Sequence, residues 1–277
     1  MLVTMNEILK DAQEKHYAVG LFNTIDSNMI DAAIRAAEEL RSPILIGTAE
    51  VLLPYGELAL IGPSMIEMAK RASVPVAVHY DHGLTVERCK EAIALGFSSI
   101  MFDGSANEES ENLRVTREMV EYAHAHGVSV EGEIGHVGTV VNNDGENADL
   151  YTTPAQAIHF VEQTGVDALA IAIGTAHGAY KSAPKLDIGR LKEIRAALDT
   201  PLVLHGGSGL SDEDFRRTIE GGITKVNIFT DPCVAAVKAM YEYGASGDIH
   251  LVAQKKVAYA KEAIMEKIRL FGSANRA

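Results

Sequence analysis

Four histidines of this sequence lie where short apolar, β-branched runs end: His79, His82, His177 and His205. Neutral imidazoles from different strands suit Zn²⁺ or a similar divalent metal, and three such ligands leave one position open for water or substrate. His79 and His82 are three residues apart, so on an extended strand they point to opposite faces and at most one reaches a shared site. The spacing alone leaves open which of the two it is.

Carboxylate side chains accompany these histidines. Asp81 stands between His79 and His82, where it could act as a general base beside a metal or could orient a histidine ligand. Asp103 and Glu133 stand at the ends of two further apolar runs. They could hold a second cation through oxygen ligands, or they could belong to a hydrogen-bond network at the mouth of the fold. The spacing decides neither case.

Two turns have the composition of a phosphate site. One is the glycine-rich turn of Gly206, Gly207 and Ser208, and the other is the segment of Asn227, Ile228, Phe229 and Thr230. Ser211 and Thr230 have the residue type and the position of helix N-caps. Backbone N–H groups of such turns and of helix N-termini bind anions, although glycine-rich turns also end strands without any ligand. The two turns together, rather than either one, predict phosphate binding.

Two lysines have to be considered as partners of a carbonyl substrate, with which a lysine can form an imine (Schiff base). Lys181 could add positive charge near His177 or lie on the surface, and it is too far past its strand for a Schiff-base lysine. Lys225 begins the last apolar run, at the end away from the histidines. We therefore expect a metal, rather than an imine, to stabilise any developing negative charge.

Eight short runs rich in apolar and β-branched residues must position these side chains. The runs span residues 17–22, 43–47, 75–80, 98–102, 128–133, 168–173, 201–204 and 225–228. Apolar residues recur between them at helical spacing, as at Ile30, Ala33 and Ala37. Strands that are mostly apolar are typical of a parallel sheet covered by helices. The pattern predicts an α/β fold of the (β/α)8 TIM-barrel type, with a doubly wound open sheet as the alternative.

The remaining segments extend this pattern without dividing it. Residues 4–15 and 249–271 are predicted to be extra terminal helices, and residues 138–153 form a long loop rich in Asn, Asp and Gly. No linker or low-complexity tract interrupts the chain. We therefore assign residues 1–277 to one barrel domain.

The charge of the chain limits its partners. It has 25 Lys and Arg against 38 Asp and Glu, a formal net charge of −13. Nucleic acid and anionic membranes need basic protein surface, so neither is an expected partner, whereas a small anionic ligand depends only on the local field. Cys89 and Cys233 are far apart, and no apolar run has the length of a signal peptide or a membrane span. These features predict a cytoplasmic protein without disulfides.

Five segments together resemble the class II, metal-dependent ketose-bisphosphate aldolases, which include fructose- and tagatose-bisphosphate aldolases. The segments are 79–83 (HYDHG), 130–135 (VEGEIG), 172–181 (AIGTAHGAYK), 201–209 (PLVLHGGSG) and 225–228 (KVNI). The resemblance covers nearly the full chain. It implies a (β/α)8 barrel, a zinc-dependent cleavage of a phosphorylated ketose to dihydroxyacetone phosphate and an aldehyde, and a homodimer or homotetramer.

The resemblance also implies roles for single residues. It favours His82 over His79, so that His82, His177 and His205 would bind the catalytic Zn²⁺, and it gives Asp81 the proton transfer at the substrate hydroxyl. Asp103 and Glu133 match positions that hold a second divalent or monovalent cation. The predicted contacts to dihydroxyacetone phosphate are Gly178, Gly206, Gly207, Ser208, Asn227, Ile228, Phe229 and Thr230, and Lys181 is added for its charge.

Three departures from the family pattern concern the aldehyde half of the substrate. Val141 stands where relatives carry a glutamate, Ala106 follows Ser105 where relatives have histidine, and residues 48–50 offer no evident second phosphate site. The substrate could thus be fructose or tagatose 1,6-bisphosphate or another ketose 1-phosphate. A non-catalytic partner subunit and a barrel hydrolase are the other hypotheses, and the hydrolase lacks its His-x-His pair, since strand one ends at Asn23.

Overall fold

A closed barrel of eight parallel strands forms the centre of the protein in the computed structural model. The structure describes residues 1–135, 138–139, 151–177 and 184–277, with the backbone alone at 138, 139 and 177. The barrel strands are β1 (Val19–Asn23), β2 (Ile44–Ala49), β3 (Val76–Gly83), β4 (Ser99–Phe102), β5 (Ser129–Ile134), β7 (Ala168–Ile171), β9 (Leu202–Leu204) and β10 (Ile223–Ile228). A separate parallel pair joins β6 (Gly138–Thr139) to β8 (Ala176–His177).

The eight predicted runs are the eight barrel strands. Almost every residue of these strands is buried, as expected for a sheet covered on both faces. Strand β1 pairs with both β2 and β10, which closes the sheet. The (β/α)8 prediction is confirmed, and the open-sheet alternative is wrong.

Ten helices among the described residues surround the barrel or close its ends. They are α1 (Met5–Glu14), α2 (Ser27–Glu39), α3 (Leu58–Arg71), α4 (Val86–Leu95), α5 (Glu109–Ala125), α6 (Pro154–Thr164), α7 (Ile188–Ala197), α8 (Asp212–Glu220), α9 (Thr230–Tyr243) and α10 (Ile249–Phe271). Both predicted terminal helices are present, α1 and α10. No helix of the described residues is long and apolar enough to cross a membrane.

Helix α1 closes the bottom of the barrel. Thr4 caps it in a capping box with Glu7, and its buried face of Met5, Ile8 and Leu9 packs on the apolar lower interior of the barrel. A second, larger core lies between the outer faces of the strands and the surrounding helices. The lower interior is thereby filled with apolar side chains, and polar groups are left for the upper end, where the strands finish.

Candidate metal and catalytic site

An irregularity in β3 brings adjacent residues into the barrel mouth together. Tyr80 pairs with Ile100 but Gly83 pairs with Phe102, so two residues of β3, Asp81 and His82, stand opposite one residue of β4. His82 also has a positive φ of 43°. Such a bulge redirects side chains that would otherwise alternate between the two faces of the sheet.

The bulge changes the expectation for the two histidines of this strand. His79 lies in the regular part of β3 and points inward, where it is fully buried and its Nδ1 lies 2.5 Å from Ser99 Oγ. His82 also reaches the interior, because the bulge adds a residue between them. The prediction that at most one of the pair points inward is wrong, since it assumed an uninterrupted strand.

His82 and His205 each turn one ring nitrogen toward the other. Nε2 of His82 lies 2.9 Å from Nδ1 of His205. The outer nitrogen of each ring contacts a carboxylate: Asp103 is 2.8 Å from His82 Nδ1. Glu131 is likewise 2.8 Å from His205 Nε2. A carboxylate on one nitrogen of an imidazole fixes the tautomer and the orientation of the ring around a metal. The nitrogens that face each other, Nε2 of His82 and Nδ1 of His205, are therefore suited to bind one.

The third predicted histidine ligand is described only by its backbone. His177 ends β8, and the backbone oxygen of its neighbour Ala176 lies 2.5 Å from where a Cβ on Gly206 would stand. The chain at His177 therefore runs beside the turn that follows His205. The predicted contacts Gly178 and Lys181, and the Val141 position, lie outside the described residues.

Asp81 is held in the site by two side-chain amides. Asn23 Nδ2 donates to one carboxylate oxygen at 2.7 Å, and Asn227 Nδ2 donates to the other at 3.0 Å. Burial raises the pKa of Asp81, but the neighbouring His82 and His79 outweigh burial and hold that pKa well below its ordinary value. The carboxylate is therefore ionised and fixed in direction, as a hydrogen-bond and proton acceptor must be.

Asp103 and Glu133 lie in the same cluster as the histidines. Asp103, His82 and Glu133 bring ligand atoms within 4.8 Å of one another, as do Asp81, His82 and His205. The carboxylate of Glu133 also lies 3.3 Å from Nδ1 of His205. Two overlapping sets with His82 in common allow one cation to change partners or two cations to lie close together.

The charges of the site favour a bound cation. Burial and the nearby carboxylate of Asp103 raise the pKa of Glu133 well above its ordinary value. Burial lowers the pKa of His82, but Asp81 and the hydrogen bond to Asp103 raise it to about 10. Nearby carboxylates contribute to both shifts, and a divalent cation would compensate their negative charge. The chemistry of these donors therefore fits a divalent metal.

A layer of buried ionisable groups lies directly beneath this site. Glu131 and Lys225 are both fully buried, with Lys225 Nζ 2.8 Å from Glu131 Oε2 and 2.7 Å from Asn227 Oδ1. The prediction that Lys225 begins its strand is wrong: β10 begins at Ile223, so Lys225 is internal and faces the barrel axis. Because its ammonium already contacts two acceptors, it still does not resemble a free Schiff-base amine.

The predicted phosphate turns lie together on one side of the mouth. Ser208 Oγ accepts hydrogen bonds from the backbone N–H groups of Phe229 and Thr230, both at 3.1 Å. The N-cap of α9 is Phe229, one residue before the predicted Thr230, and Ser208 supplies the missing acceptor. Since its oxygen accepts from both groups, the Ser208 hydroxyl is free to direct its own hydrogen toward a ligand.

Gly206 is required by the geometry of the first turn. It has a positive φ of 65°, and a Cβ there would come within 2.5 Å of the Ala176 backbone oxygen. Ser211 caps α8 as predicted, but Asp212, Glu213 and Asp214 occupy the first turn of that helix. Those carboxylates already interact with the helix dipole, so the turn itself and the start of α9 are better placed for phosphate than α8.

A cavity of about 500 Å³ connects these parts. The residues that line it include Asp81, His82, Asp103, Glu133, the 206–208 turn and the 227–230 segment. Ala49, Val51, Leu52, Leu84 and Ala106 form an apolar part of its wall. Among the described residues that line the cavity there is no lysine or arginine.

Glu50, beside this wall, has a structural role. Its carboxylate accepts from the backbone N–H of Leu84 at 2.8 Å and contacts Thr85 and Tyr80. It thereby ties the end of β2 to the start of α4 and is not directed at a ligand.

Comparison with known proteins gives the family. A family model described as fructose-bisphosphate aldolase class-II matches residues 3–276. The chain belongs to the class-II fructose-bisphosphate aldolase family. This agrees with the resemblance of the five motifs and with the barrel mouth described above. The family is generally metal-dependent, which agrees with the overlapping ligand sets, and the hypothesis of a barrel hydrolase is wrong.

Several relatives match along their whole length. The chain is 41% identical to uncharacterized protein YdjI of Escherichia coli (strain K12), with 100% of each chain covered. A crystal structure of the YdjI aldolase from that organism superimposes with a TM-score of 0.92. The chain is 39% identical to a fructose-bisphosphate aldolase of Staphylococcus epidermidis (100% of this chain and 99% of that one). It is 40% identical to a 6-phospho-5-dehydro-2-deoxy-D-gluconate aldolase of Shouchella clausii, with 99% of this chain and 96% of that one covered.

The sequence patterns gave no role to Asn23 and Glu131, which hold two of the candidate site residues in place. Asn23 ends β1 and holds Asp81, and Glu131 holds His205. Polar residues two apart in otherwise apolar strands, such as 131 and 133 or 225 and 227, were the available signal, because alternate residues face the same side of a strand.

Proposed function

We propose that this protein is a zinc-dependent aldolase that reversibly cleaves a ketose 1-phosphate to dihydroxyacetone phosphate and an aldehyde. The observation that carries the proposal is the arrangement of His82 and His205, with facing nitrogens backed by Asp103 and Glu131, beside an ionised Asp81. His82, His205 and His177 would hold the metal. Glu133 is an alternative ligand at the same position.

The bound cation would supply Lewis-acid chemistry, since it polarises a carbonyl and stabilises negative charge that develops on its oxygen. Asp81 would accept the proton from the hydroxyl of the carbon that becomes the aldehyde. Asn23 and Asn227 hold both of its oxygens, so the carboxylate does not need to reorient during the reaction. This fixed direction lowers the entropic part of the barrier.

The phosphate of the ketone fragment would bind between the two turns. The Ser208 hydroxyl can donate to a phosphate oxygen, and the backbone at Gly206 and Gly207 can approach an anion closely. Gly178 and Lys181 are proposed to complete this contact. Affinity for phosphate would then come mainly from hydroxyl and backbone groups, because the described lining residues include no lysine or arginine.

The composition of the cavity wall favours a substrate with a single phosphate. Val51, Leu52 and Leu84 contribute apolar side chains to the wall, and the described lining residues include no lysine or arginine for a second phosphate. Relatives of similar identity are named for different substrates, fructose bisphosphate in one case and 6-phospho-5-dehydro-2-deoxy-D-gluconate in another. Family membership therefore leaves the aldehyde open, and we propose an aldehyde fragment without phosphate.

The first experiment measures release of dihydroxyacetone phosphate from fructose 1-phosphate and from fructose 1,6-bisphosphate. We expect activity to be lost with EDTA and restored by Zn²⁺, and kcat/KM to favour the monophosphate. Full activity in EDTA, with no metal by elemental analysis, would contradict the zinc proposal. A preference for the bisphosphate would contradict the proposed aldehyde and leave the metal mechanism intact.

A substitution of Asp81 tests the proton transfer. Asp81→Asn should lower kcat by about 10² to 10⁴, the usual contribution of a positioned acid or base, with zinc content unchanged. Asp31→Asn is the matched control, because Asp31 is paired with Arg35 on the surface of α2. Equal loss of zinc and of turnover in Asp81→Asn would make Asp81 a residue that orients the ligands.

A further inference from the structure

A buried lysine beneath the site needs an explanation beyond stability. Lys225 is fully buried inside the barrel, and removing an ammonium group from water is costly even when it is paired. An apolar side chain of similar volume often serves a protein core at least as well. The contacts of Lys225 therefore indicate what its charge does.

The first contact sets the orientation of an amide. Lys225 Nζ can only donate, and it lies 2.7 Å from Asn227 Oδ1. The amide oxygen of Asn227 must therefore face the lysine, which turns its nitrogen toward Asp81 Oδ1 at 3.0 Å. With the opposite orientation, an amide oxygen would face a carboxylate oxygen and repel it.

The second contact sets the orientation of a carboxylate. Lys225 Nζ lies 2.8 Å from Glu131 Oε2, while Glu131 Oε1 lies 2.8 Å from His205 Nε2. The carboxylate thus lies between an ammonium group and a ring nitrogen, and a carboxylate paired with an ammonium group acts as an acceptor. His205 must then donate through Nε2, which directs its other nitrogen to His82.

We propose that Lys225 is a positioning residue that aligns two parts of the site from below. Through Asn227 it fixes the direction of Asp81, and through Glu131 it fixes the ring of His205. It does not reach the substrate. The inference rests on the proposed function for the role of Asp81, whereas the effect of Lys225 on His205 can be measured by metal binding alone.

A double-mutant cycle separates positioning from charge balance. Lys225→Met should lower kcat at least about tenfold with KM nearly unchanged, and should weaken zinc binding about tenfold in competition with a chromophoric chelator, as loss of outer support around a metal does. At saturating zinc, where weaker metal binding no longer limits turnover, adding Lys225→Met to Asn227→Ala should lower kcat by less than about twofold further.

A charge-balanced pair completes the test. Lys225→Met with Glu131→Gln removes both charges of the buried Lys225–Glu131 pair, so the melting temperature should recover while kcat stays low. Recovery of kcat in this pair, or full additivity with Asn227→Ala, would overturn the proposal. Should Lys225→Met alone fail to fold, the same cycle is run in the Glu131→Gln background.

A matched lysine controls for the substitution itself. Lys261 is paired with Glu39 at 2.6 Å between α10 and α2, outside the barrel wall. Lys261→Met should change stability slightly and leave kcat and zinc affinity unaltered. Absence of any aldolase activity in the unmodified protein would contradict the proposed function instead. The zinc competition would still test the effect of Lys225 on His205.

Discussion

At the scale of single residues, the site depends on histidines whose protonation competes with metal binding. Burial lowers the pKa of His82, but the carboxylates of Asp81 and Asp103 raise it to about 10. In the protein without a cation His82 would therefore carry a proton at neutral pH. A metal that binds its inner nitrogen must displace that proton.

This competition predicts a pH dependence of metal affinity. Because the raised pKa of His82 keeps it protonated below about pH 10, zinc affinity should rise with pH between 6.5 and 8.5, by up to about tenfold per unit. Titration calorimetry in two buffers of different ionisation enthalpy should show release of about one proton or more per zinc. In Asp103→Asn the release should be smaller, since one cause of the raised pKa is gone. Binding without proton release or pH dependence would contradict the assignment of His82.

At the scale of elements, the sequence predicted the strands but not every side-chain direction. All eight strands and both terminal helices could be recognised because buried parallel strands and amphipathic helices have strong patterns. The bulge at Asp81 and His82 could not be, since it depends on the pairing of β3 with β4, which no local pattern encodes. The orientation of Lys225 was missed because the start of β10 was placed two residues too late.

The motifs of the site were more predictable than their connections. The positions of His205, Asp81 and Asn227 followed from strand ends and from the family resemblance. Their hydrogen bonds to Glu131 and Lys225 depend on which residues of different strands share a level inside the barrel. That level is set by the stagger of the closed sheet, which the sequence of one strand does not reveal.

The turn after β9 gives a prediction at this scale. Gly206→Ala would place a Cβ within 2.5 Å of the Ala176 backbone oxygen at a φ of 65°, so the turn must shift. We expect KM for the phosphorylated ketose to rise at least tenfold, with a loss of stability of about 1–3 kcal/mol. Gly244→Ala is the control, because no atom lies within 4 Å of a Cβ there. An unchanged KM in Gly206→Ala would mean that this turn does not bind the phosphate.

At the scale of the whole molecule, the acidic chain and the anionic ligand are compatible. The net charge of −13 belongs to the molecule, whereas binding depends on a metal site and on backbone groups at one end of the barrel. The excess of carboxyl groups inside the mouth is what makes a cation favourable there. The same excess would repel a phosphorylated substrate when no metal is bound, so metal and substrate binding should be coupled.

Both ends of the chain are joined to the barrel, and this predicts how it unfolds. The amino group of Met1 donates to Val74 O at 2.9 Å, and α1 fills the barrel floor. Phe271 O, at the end of α10, accepts from Ala18 N at 3.0 Å just before β1. We therefore expect residues 1–277 to behave as one domain with a single thermal transition.

Zinc at about 100 times its Kd should stabilise the protein by about 2.7 kcal/mol and raise Tm by roughly 5–10 °C. Calorimetry of His82→Ala should show one transition without this shift. Two separated transitions would contradict the single domain, and an unmodified protein whose Tm ignores zinc would contradict the metal site.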